Sequence, residues 1–365
     1  MYNNLMFIAG LTGNYGMGKS AVLSMFRELG AVTIDADWIV RMLLRKKDVL
    51  KKVKALFGSG VFGKNNRLDK KKIAERIFRN KSLRIKLEDV LHPLVFERVD
   101  DFVRKFGNGN KVIIVEAPLI FERGHEGRFD RTITVFTNET TAINRLSMHG
   151  ITAKQASERL KCQLPIKEKI KRSDYSIDNS GEIEKTRKQV EAVYKELLRE
   201  AKIKELLSAG KIGEVKKLTG KPYFIGGKVI RGAGRGRKLL NIPTANISVQ
   251  KGTPLKEGVY AVKVIVPPTH PSPASRYDSQ PRGEGKKGGN IFEGVANIGK
   301  NPTFGIMPVS YEVHIFDFSG NLLGKKLQVD FIKRIRDEKK FPNVKALETQ
   351  IKRDIKKAKE ILKRL

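Results

Sequence analysis

Eight residues near the start of the chain, Gly13-Asn14-Tyr15-Gly16-Met17-Gly18-Lys19-Ser20, fit the pattern G-x-x-x-x-G-K-[ST] at every fixed position. Such a segment binds phosphate through its backbone as much as its side chains. Glycines let successive N–H groups converge on an anion at a helix N-terminus, where the helix dipole favours negative charge. In that frame Gly13, Gly16, Met17, Gly18 and Ala21 line the phosphates of ATP, Lys19 reaches the β- and γ-phosphates, and Ser20 can ligate Mg²⁺. A little further on, Ile34-Asp35-Ala36-Asp37 closes a strand candidate beside the same site. A carboxylate there can orient an acceptor hydroxyl or hold a metal through water. The same pair would also serve as a helix N-cap followed by a solvated acid.

A second set of chemistry-bearing residues lies in the other half of the chain. Gly232–Arg237 (GAGRGR) is a glycine/arginine loop in which Gly234, Arg235, Gly236 and Arg237 could cradle phosphate, although RNA-binding loops read much the same. Thr244 and Asn246, in Pro243-Thr244-Ala245-Asn246, are two residues apart, so in an extended segment both oxygens face one way and could approach one hard cation. A Pro-initiated turn whose Thr and Asn cap their own backbone accounts for them equally well. Glu312 and His314 alternate with Tyr311, Val313 and Ile315 along a strand and so share a face.

The elements that would position these groups fall into two kinds. Around the first set, strand candidates Phe7–Leu11, Ala31–Ile34, Val112–Val115 and Thr132–Phe136 alternate with helical stretches, among them Lys19–Leu29 and Leu83–Phe106, which Pro93 should kink or divide. That order predicts an α/β unit, a parallel sheet flanked by helices. After the charged helical stretch Glu184–Leu207 come short alternating segments with glycine punctuation: Tyr223–Val229, Val259–Val266, Phe292–Ala296, Ser310–Phe318 and Lys326–Phe331. They predict a small all-β sandwich or barrel, closed by an amphipathic helix at Val344–Leu362. The boundary falls between 1–202 and 203–365, with the Pro/Gly/Ser-rich segment 267–289 as an insertion expected to be mobile.

Composition suits two cores: 365 residues, 40% hydrophobic. No apolar run is long enough for a membrane helix, and the N-terminus has no basic region of the signal-peptide kind. The single cysteine, Cys162, excludes an intramolecular disulfide and a cysteine metal cluster, which points to a reducing cytoplasm. The formal net charge is +34, from 73 Lys plus Arg against 39 Asp plus Glu. Nucleic-acid binding, polyanionic substrates and a lysine-rich, heat-adapted proteome would each produce it. The lysines are spread along the chain rather than gathered in one arm, which weighs against specific nucleic-acid binding.

Residues 5–200 resemble the dephospho-CoA kinases. LTGNYGMGKSAV and FRELGAVTIDAD look like that family's opening, Leu91-His92-Pro93 like its LHP motif, and Pro118–Glu122 like its PLL-F-E segment. Arg159-x-x-x-Gln163 and Ser173–Gly181 resemble its lid and following strand. The resemblance implies a P-loop fold with a helical lid and transfer of the ATP γ-phosphoryl group to the 3′-hydroxyl of dephospho-CoA. Asp37 would be the base, Arg145 and Arg159 the lid cations, His92 a substrate contact and Glu116 an acid near the metal. Where the family usually has a second lid arginine this chain has His149, which lacks the guanidinium fork, with Lys154 nearby as a replacement.

From about Ile203 onward the chain is similar to the riboflavin kinase module of bacterial flavin-synthesis enzymes. The resemblance rests on AGKIGEVKKLTGKPYFIGGKVIRGAGRGR, IPTAN, EGVYAV, GVANIGKNPTFG, EVHIFDFSGNLLGK and IRDEKKF, in that order. It implies a six-stranded barrel with a C-terminal helix that phosphorylates the 5′-hydroxyl of riboflavin. Thr244 and Asn246 would bind Mg²⁺, Glu312 would be the base, and Arg336 and Phe341 would flank the flavin. Asn241 replaces a glycine common in relatives but tolerates positive φ. The H-x-G-H signature of the adenylyltransferase that usually precedes this module does not occur, so FAD synthesis is not expected. The alternatives are a chain with one active half, or a basic P-loop ATPase that binds nucleic acid.

Overall fold

The computed structural model describes residues 6–63, 67–106, 112–231, 243–249, 253–267, 289–299 and 309–364, leaving aside the side chains of residues 70, 71, 78 and 79. The chain divides into two compact units, Met1–Lys202 and Ile203–Leu365.

The first unit is built on five strands, β1 (Phe7–Thr12), β2 (Val32–Asp35), β3 (Val112–Glu116), β4 (Arg131–Phe136) and β5 (Tyr175–Asp178), all parallel in the order β2-β3-β1-β4-β5. Strand alternation decides what each face buries. Phe7, Ala9, Leu11, Val112 and Ile114 point to one face and pack with Val22 and Phe26 of α1 (Lys19–Glu28). Val190, Tyr194 and Leu197 of the long helix α9 (Ile183–Ser208) complete that layer. Ile8, Ile113 and Val115 point the other way, against Ile39 of α2 (Ala36–Leu43) and Val95, Val99 and Val103 of α5 (Lys81–Phe106). Each such large side chain contributes about 1.5–3 kcal/mol by leaving water.

A kink or division was expected at Pro93; the helix α5 is not divided there. Its buried residues Leu87, Leu91, Val95, Val99 and Val103 recur every fourth position, giving one apolar stripe along its length. The upper part of that stripe seals a side cluster with Val49, Val53 and Phe57 of α3 (Lys47–Phe57) and Ile73 of α4 (Lys70–Arg79). The lower part packs on the sheet. Burying five side chains outweighs the roughly 3 kcal/mol that an interior proline costs. Three short helices, α6 (Glu139–Ser147), α7 (Ala153–Lys161) and α8 (Ile166–Arg172), fill the connection between β4 and β5.

The second unit is a closed antiparallel barrel of six strands: β6 (Tyr223–Ile230), β7 (Ala245–Ser248), β8 (Gly258–Val266), β9 (Asn290–Gly299), β10 (Ser310–Ile315) and β11 (Lys326–Arg336), in the order β10-β7-β6-β11-β8-β9. Along β8, Tyr260, Val262 and Val264 fill the interior, joined by Val229, Ile247, Ala296, Val313, Val329 and Phe331. Helix α10 (Ile212–Thr219) adds Ile212 and Val215 to that cluster. The alternate residues Val259 and Ala261 face outward and are covered by Ala358 and Leu362 of the C-terminal helix α11 (Val344–Leu362). The fourth segment of the expected strand pattern, Ser310–Phe318, ends early at Ile315, because the chain turns where Asp317 takes φ 54°. The strand β7, Ala-Asn-Ile-Ser, alternates apolar and polar but is only four residues long, too short for its alternation to mark it in the sequence. The insertion at 268–288 lies outside the described residues.

Candidate functional site

The first site forms where the C-terminal ends of β1, β2 and β3 meet the start of α1. In register, Leu11 and Asp35 both lie opposite Glu116, so the sheet brings two carboxylates beside the loop that follows β1. The loop backbone is left-handed at Gly16 and Gly18, with φ 78° and 84°. A Cβ on Gly18 would meet Asn179 Nδ2 at 2.1 Å, so only glycine lets the loop pass there. Gly18 is also the N-cap of α1, which has no capping side chain and no acid in its first turn. Its first N–H groups are thus left for an anion. Ser20, in that turn, is exposed to the same space.

Three carboxylates surround Lys19. Burial pushes its ammonium below the usual lysine range, while Glu116, Asp37 and Glu122 oppose the shift. Nζ meanwhile donates to the carbonyl of Asn14 at 3.2 Å. Desolvation raises the Asp37 carboxyl, and Lys19 is the largest influence pulling it back. Burial, aided by Asp35 and Asp37, lifts Glu116 to about 7 against the pull of Lys19. Its Oε2 is buried without a hydrogen-bond partner. Asp35 and Asp37 separate the two roles that their spacing left open. Asp35 caps α2, accepting from the Trp38 N–H at 2.9 Å, while Asp37 faces the charge cluster.

Both lid arginines reach the phosphate loop. Arg145, in the last turn of α6, donates through Nη2 to the Asn179 carbonyl at 2.9 Å, and a Cβ on Gly18 would lie 3.3 Å from its Nη1. That Nη1 is buried and makes no hydrogen bond. Arg159 on α7 donates to the Tyr15 hydroxyl at 2.8 Å and lies over the Tyr15 ring. His149 is exposed in the turn between those helices, and Lys154 is exposed at the start of α7. His92 stands apart from this group. It pairs with His125, Nδ1 to Nε2 at 3.1 Å, edge-on to Phe96, and burial, then His125, holds it down at about 4.

Several residues in the site escape motif reading. Tyr15 occupies a free position of the P-loop pattern, yet it is the lid's contact. Asn179, just after β5, lies in the segment Ser173–Gly181 without standing out in it; it clamps the loop, donating to the Met17 carbonyl at 3.0 Å while its Oδ1 accepts from Thr186. His125 is isolated in the sequence. Nothing in local pattern gives the contacts of Tyr15 with Arg159, Asn179 with Met17 or His125 with His92, since these partners are more than thirty and up to about 160 positions apart.

In the barrel, pairing of β10 with β7 sets Glu312 directly opposite Asn246, and pairing with β9 sets it opposite Asn297. Directly opposed residues bring their Cβ atoms to about 4.5–5.5 Å. His314, two residues on, bonds the Pro243 carbonyl through Nδ1 at 2.8 Å and so ties Thr244 and Asn246 to β10. Beside them opens a cavity of about 330 Å³, with Thr244, Asn246 and Asn321 as polar groups and Ile315, Phe318 and Leu322 as apolar walls. That volume lies at the low end of the range of small-molecule sites. The structure brings Arg336 and Phe341 together, the guanidinium lying over the Phe341 ring, while its Nε and Nη2 bind the buried Asp354 of α11 at 2.7–3.0 Å. Gly234, Arg235, Gly236, Arg237 and Asn241 lie outside the described residues.

A parallel sheet in the order β2-β3-β1-β4-β5, a phosphate loop between β1 and α1, and two arginines brought onto that loop define a P-loop kinase unit. The family model for dephospho-CoA kinase matches residues 7–185, and that for riboflavin kinase matches 219–362. The dephospho-CoA kinase of Aquifex aeolicus (strain VF5) is 38% identical over 192 residues, 52% of this chain and 97% of that protein. That of Geobacillus kaustophilus is 35% identical over 193 residues, 51% of this chain and 94% of that protein. Among solved structures, TT1252 from Thermus thermophilus is 30% identical with a TM-score of 0.47, covering 53% of this chain and 98% of that one. The chain belongs to the dephospho-CoA kinase family, and it carries a riboflavin kinase domain after the kinase unit.

Proposed function

We propose that the chain is a bifunctional small-molecule kinase: ATP-dependent 3′-phosphorylation of dephospho-CoA in the first unit, and ATP-dependent 5′-phosphorylation of riboflavin in the barrel. The observation that carries the first half is the convergence of Lys19, Asp37 and Arg145 on one phosphate loop. In this reading the N–H groups of the loop and Lys19 hold the β- and γ-phosphates. Asp37, its proton affinity raised by desolvation, takes the proton of the acceptor hydroxyl. The unpartnered Nη1 of Arg145, with Arg159, steadies charge on the group in flight. His92, paired and neutral, can act only as a dipole toward the acceptor.

Magnesium fits the residues present. Glu116 offers a buried oxygen without a partner, Ser20 a hydroxyl at the loop, and both are hard donors. Among the described residues no three acids or histidines form a protein-only metal cage, as suits an ion held chiefly by phosphates and water. Bound there, it would neutralise charge between the phosphates. In the barrel Thr244 and Asn246 would hold it, and Glu312 would take the ribityl proton. Among the described residues no helix is long and apolar enough to cross a membrane.

The test is mass-spectrometric detection of products from the purified chain given Mg-ATP, dephospho-CoA and riboflavin together. Both CoA and FMN should form. Lys19→Ala should abolish only CoA, and Glu312→Gln only FMN. Failure of the parent protein to form one product would reduce that half to a binding module.

A further inference from the structure

Lys169, on α8, has no exposed side-chain surface and takes no part in the mechanism above. Its Nζ lies 2.8 Å from Glu122 Oε1 and donates to the Pro118 carbonyl, also at 2.8 Å. Each of these bonds continues to the phosphate loop. The Pro118 carbonyl also accepts from the Thr12 hydroxyl at 3.0 Å. Glu122 Oε1 also accepts from the Leu164 N–H at 3.1 Å, and the Leu164 carbonyl accepts from Asn14 Nδ2 at 3.1 Å. Because Thr12 and Asn14 flank Gly13, the bonds close into a ring: Thr12, Pro118, Lys169, Glu122, Leu164, Asn14. The ring joins the first half of the P-loop to the point where the chain returns from the lid. Next to it, Gln163 Oε1 accepts from the Tyr15 N–H at 2.8 Å, and Arg159 is held on Tyr15.

Fold stability alone does not account for a lysine in this position. Taking an ammonium and a carboxylate out of water is costly, and a well-packed apolar pair of similar volume is often as stable or more so. What the ion pair supplies, and an apolar pair cannot, is direction: it fixes one carbonyl and one N–H at set points on opposite sides of the loop. We infer that Lys169 is a positioning residue for phosphoryl transfer, its pair with Glu122 holding the P-loop and the arginine-bearing lid segment in register. This rests on the kinase reading of the first site.

The test uses the full chain and two variants, Lys169→Met and the apolar double variant Lys169→Met/Glu122→Leu. Unfolding is followed through Trp38, the single tryptophan, which reports the first unit alone. Kinetics of CoA formation and hydrogen exchange of residues 153–165 with and without Mg-ATP complete the measurements, with FMN formation as the check on protein quality. The single variant should be destabilised by an unpaired Glu122. The double should recover the parental midpoint while its kcat for CoA formation stays at least about tenfold down, since a small misplacement of reacting groups costs of that order or more. Its KM for dephospho-CoA should change little, and Mg-ATP should no longer protect 153–165 as in the parent. Recovery of both midpoint and kcat would overturn the proposal, and so would a double variant that remains unstable, because the pair would then serve folding itself. A parent that forms no CoA would sink the kinase reading. Mg-ATP protection would still decide this proposal, equal protection in parent and double variant refuting it.

Discussion

At neutral pH the Glu116 carboxyl sits near the midpoint of its own titration, and His92 is held far below its usual one. These two shifts act on stability with opposite signs. Glu116 binds its proton more tightly in the folded state, so its contribution is complete below the unfolded value near 4.5 and is lost as pH rises through about 7. Unfolding followed at Trp38 should therefore show Glu116→Gln gaining on the parent between pH 5 and 8, by on the order of 2–3 kcal/mol at most. A variant that keeps the parental pH slope would show that Glu116 is solvated. His92 resists protonation when folded, so its contribution is present above 6.5 and lost as pH falls through about 4. His92→Gln should flatten the acid limb of the same curve and leave the limb above pH 7 unchanged. The separation of Asp35 from Asp37 belongs to this scale too. Their spacing left both open as a cap or a site acid; the structure makes Asp35 the cap of α2 and sets Asp37 beside Lys19.

Helices and loops carry the next set of constraints. Gly18 is at once a left-handed residue, the N-cap of α1 and the point where Asn179 and Arg145 press on the loop. Gly18→Ala should cost about 1–3 kcal/mol of backbone strain and displace Asn179, lowering CoA formation by about a hundredfold or more. Near-parental turnover in that variant would mean the loop and Asn179 yield together. In the barrel, Arg336 and Asp354 join β11 to α11. Asp354→Ala leaves a guanidinium with 16% side-chain exposure and no carboxylate, and should cost about 3–5 kcal/mol. Faster hydrogen exchange across α11, with the first unit unaffected, is the expected signature. Pro93 shows how far packing reaches at this scale: a residue that ends most helices is accommodated because a stripe of five apolar residues continues past it.

For the molecule as a whole the charge of +34 is a field rather than a site. ATP and dephospho-CoA are polyanions and riboflavin is neutral, so the same chain contains its own control. Raising salt from about 50 to 300 mM shortens the screening length and should raise KM for dephospho-CoA severalfold while leaving KM for riboflavin unchanged. Equal salt effects on both would assign the charge to something other than substrate capture. The two units also allow each site to be silenced without touching the other, which makes the paired product assay decisive.

Much of this was legible from residues in order along the chain. The phosphate loop, the parallel sheet, the short β segments and the C-terminal helix all follow from local spacing, because backbone conformation and side-chain facing are set within a few positions. Only the tertiary structure brought Arg145 and Arg159 onto the loop, set Glu312 against Asn246, committed Arg336 to Asp354, and closed a ring of hydrogen bonds around Lys169. Strand register and helix docking join residues far apart in the chain, and a buried charge acquires its meaning from those partners. A sequence read one segment at a time does not contain them.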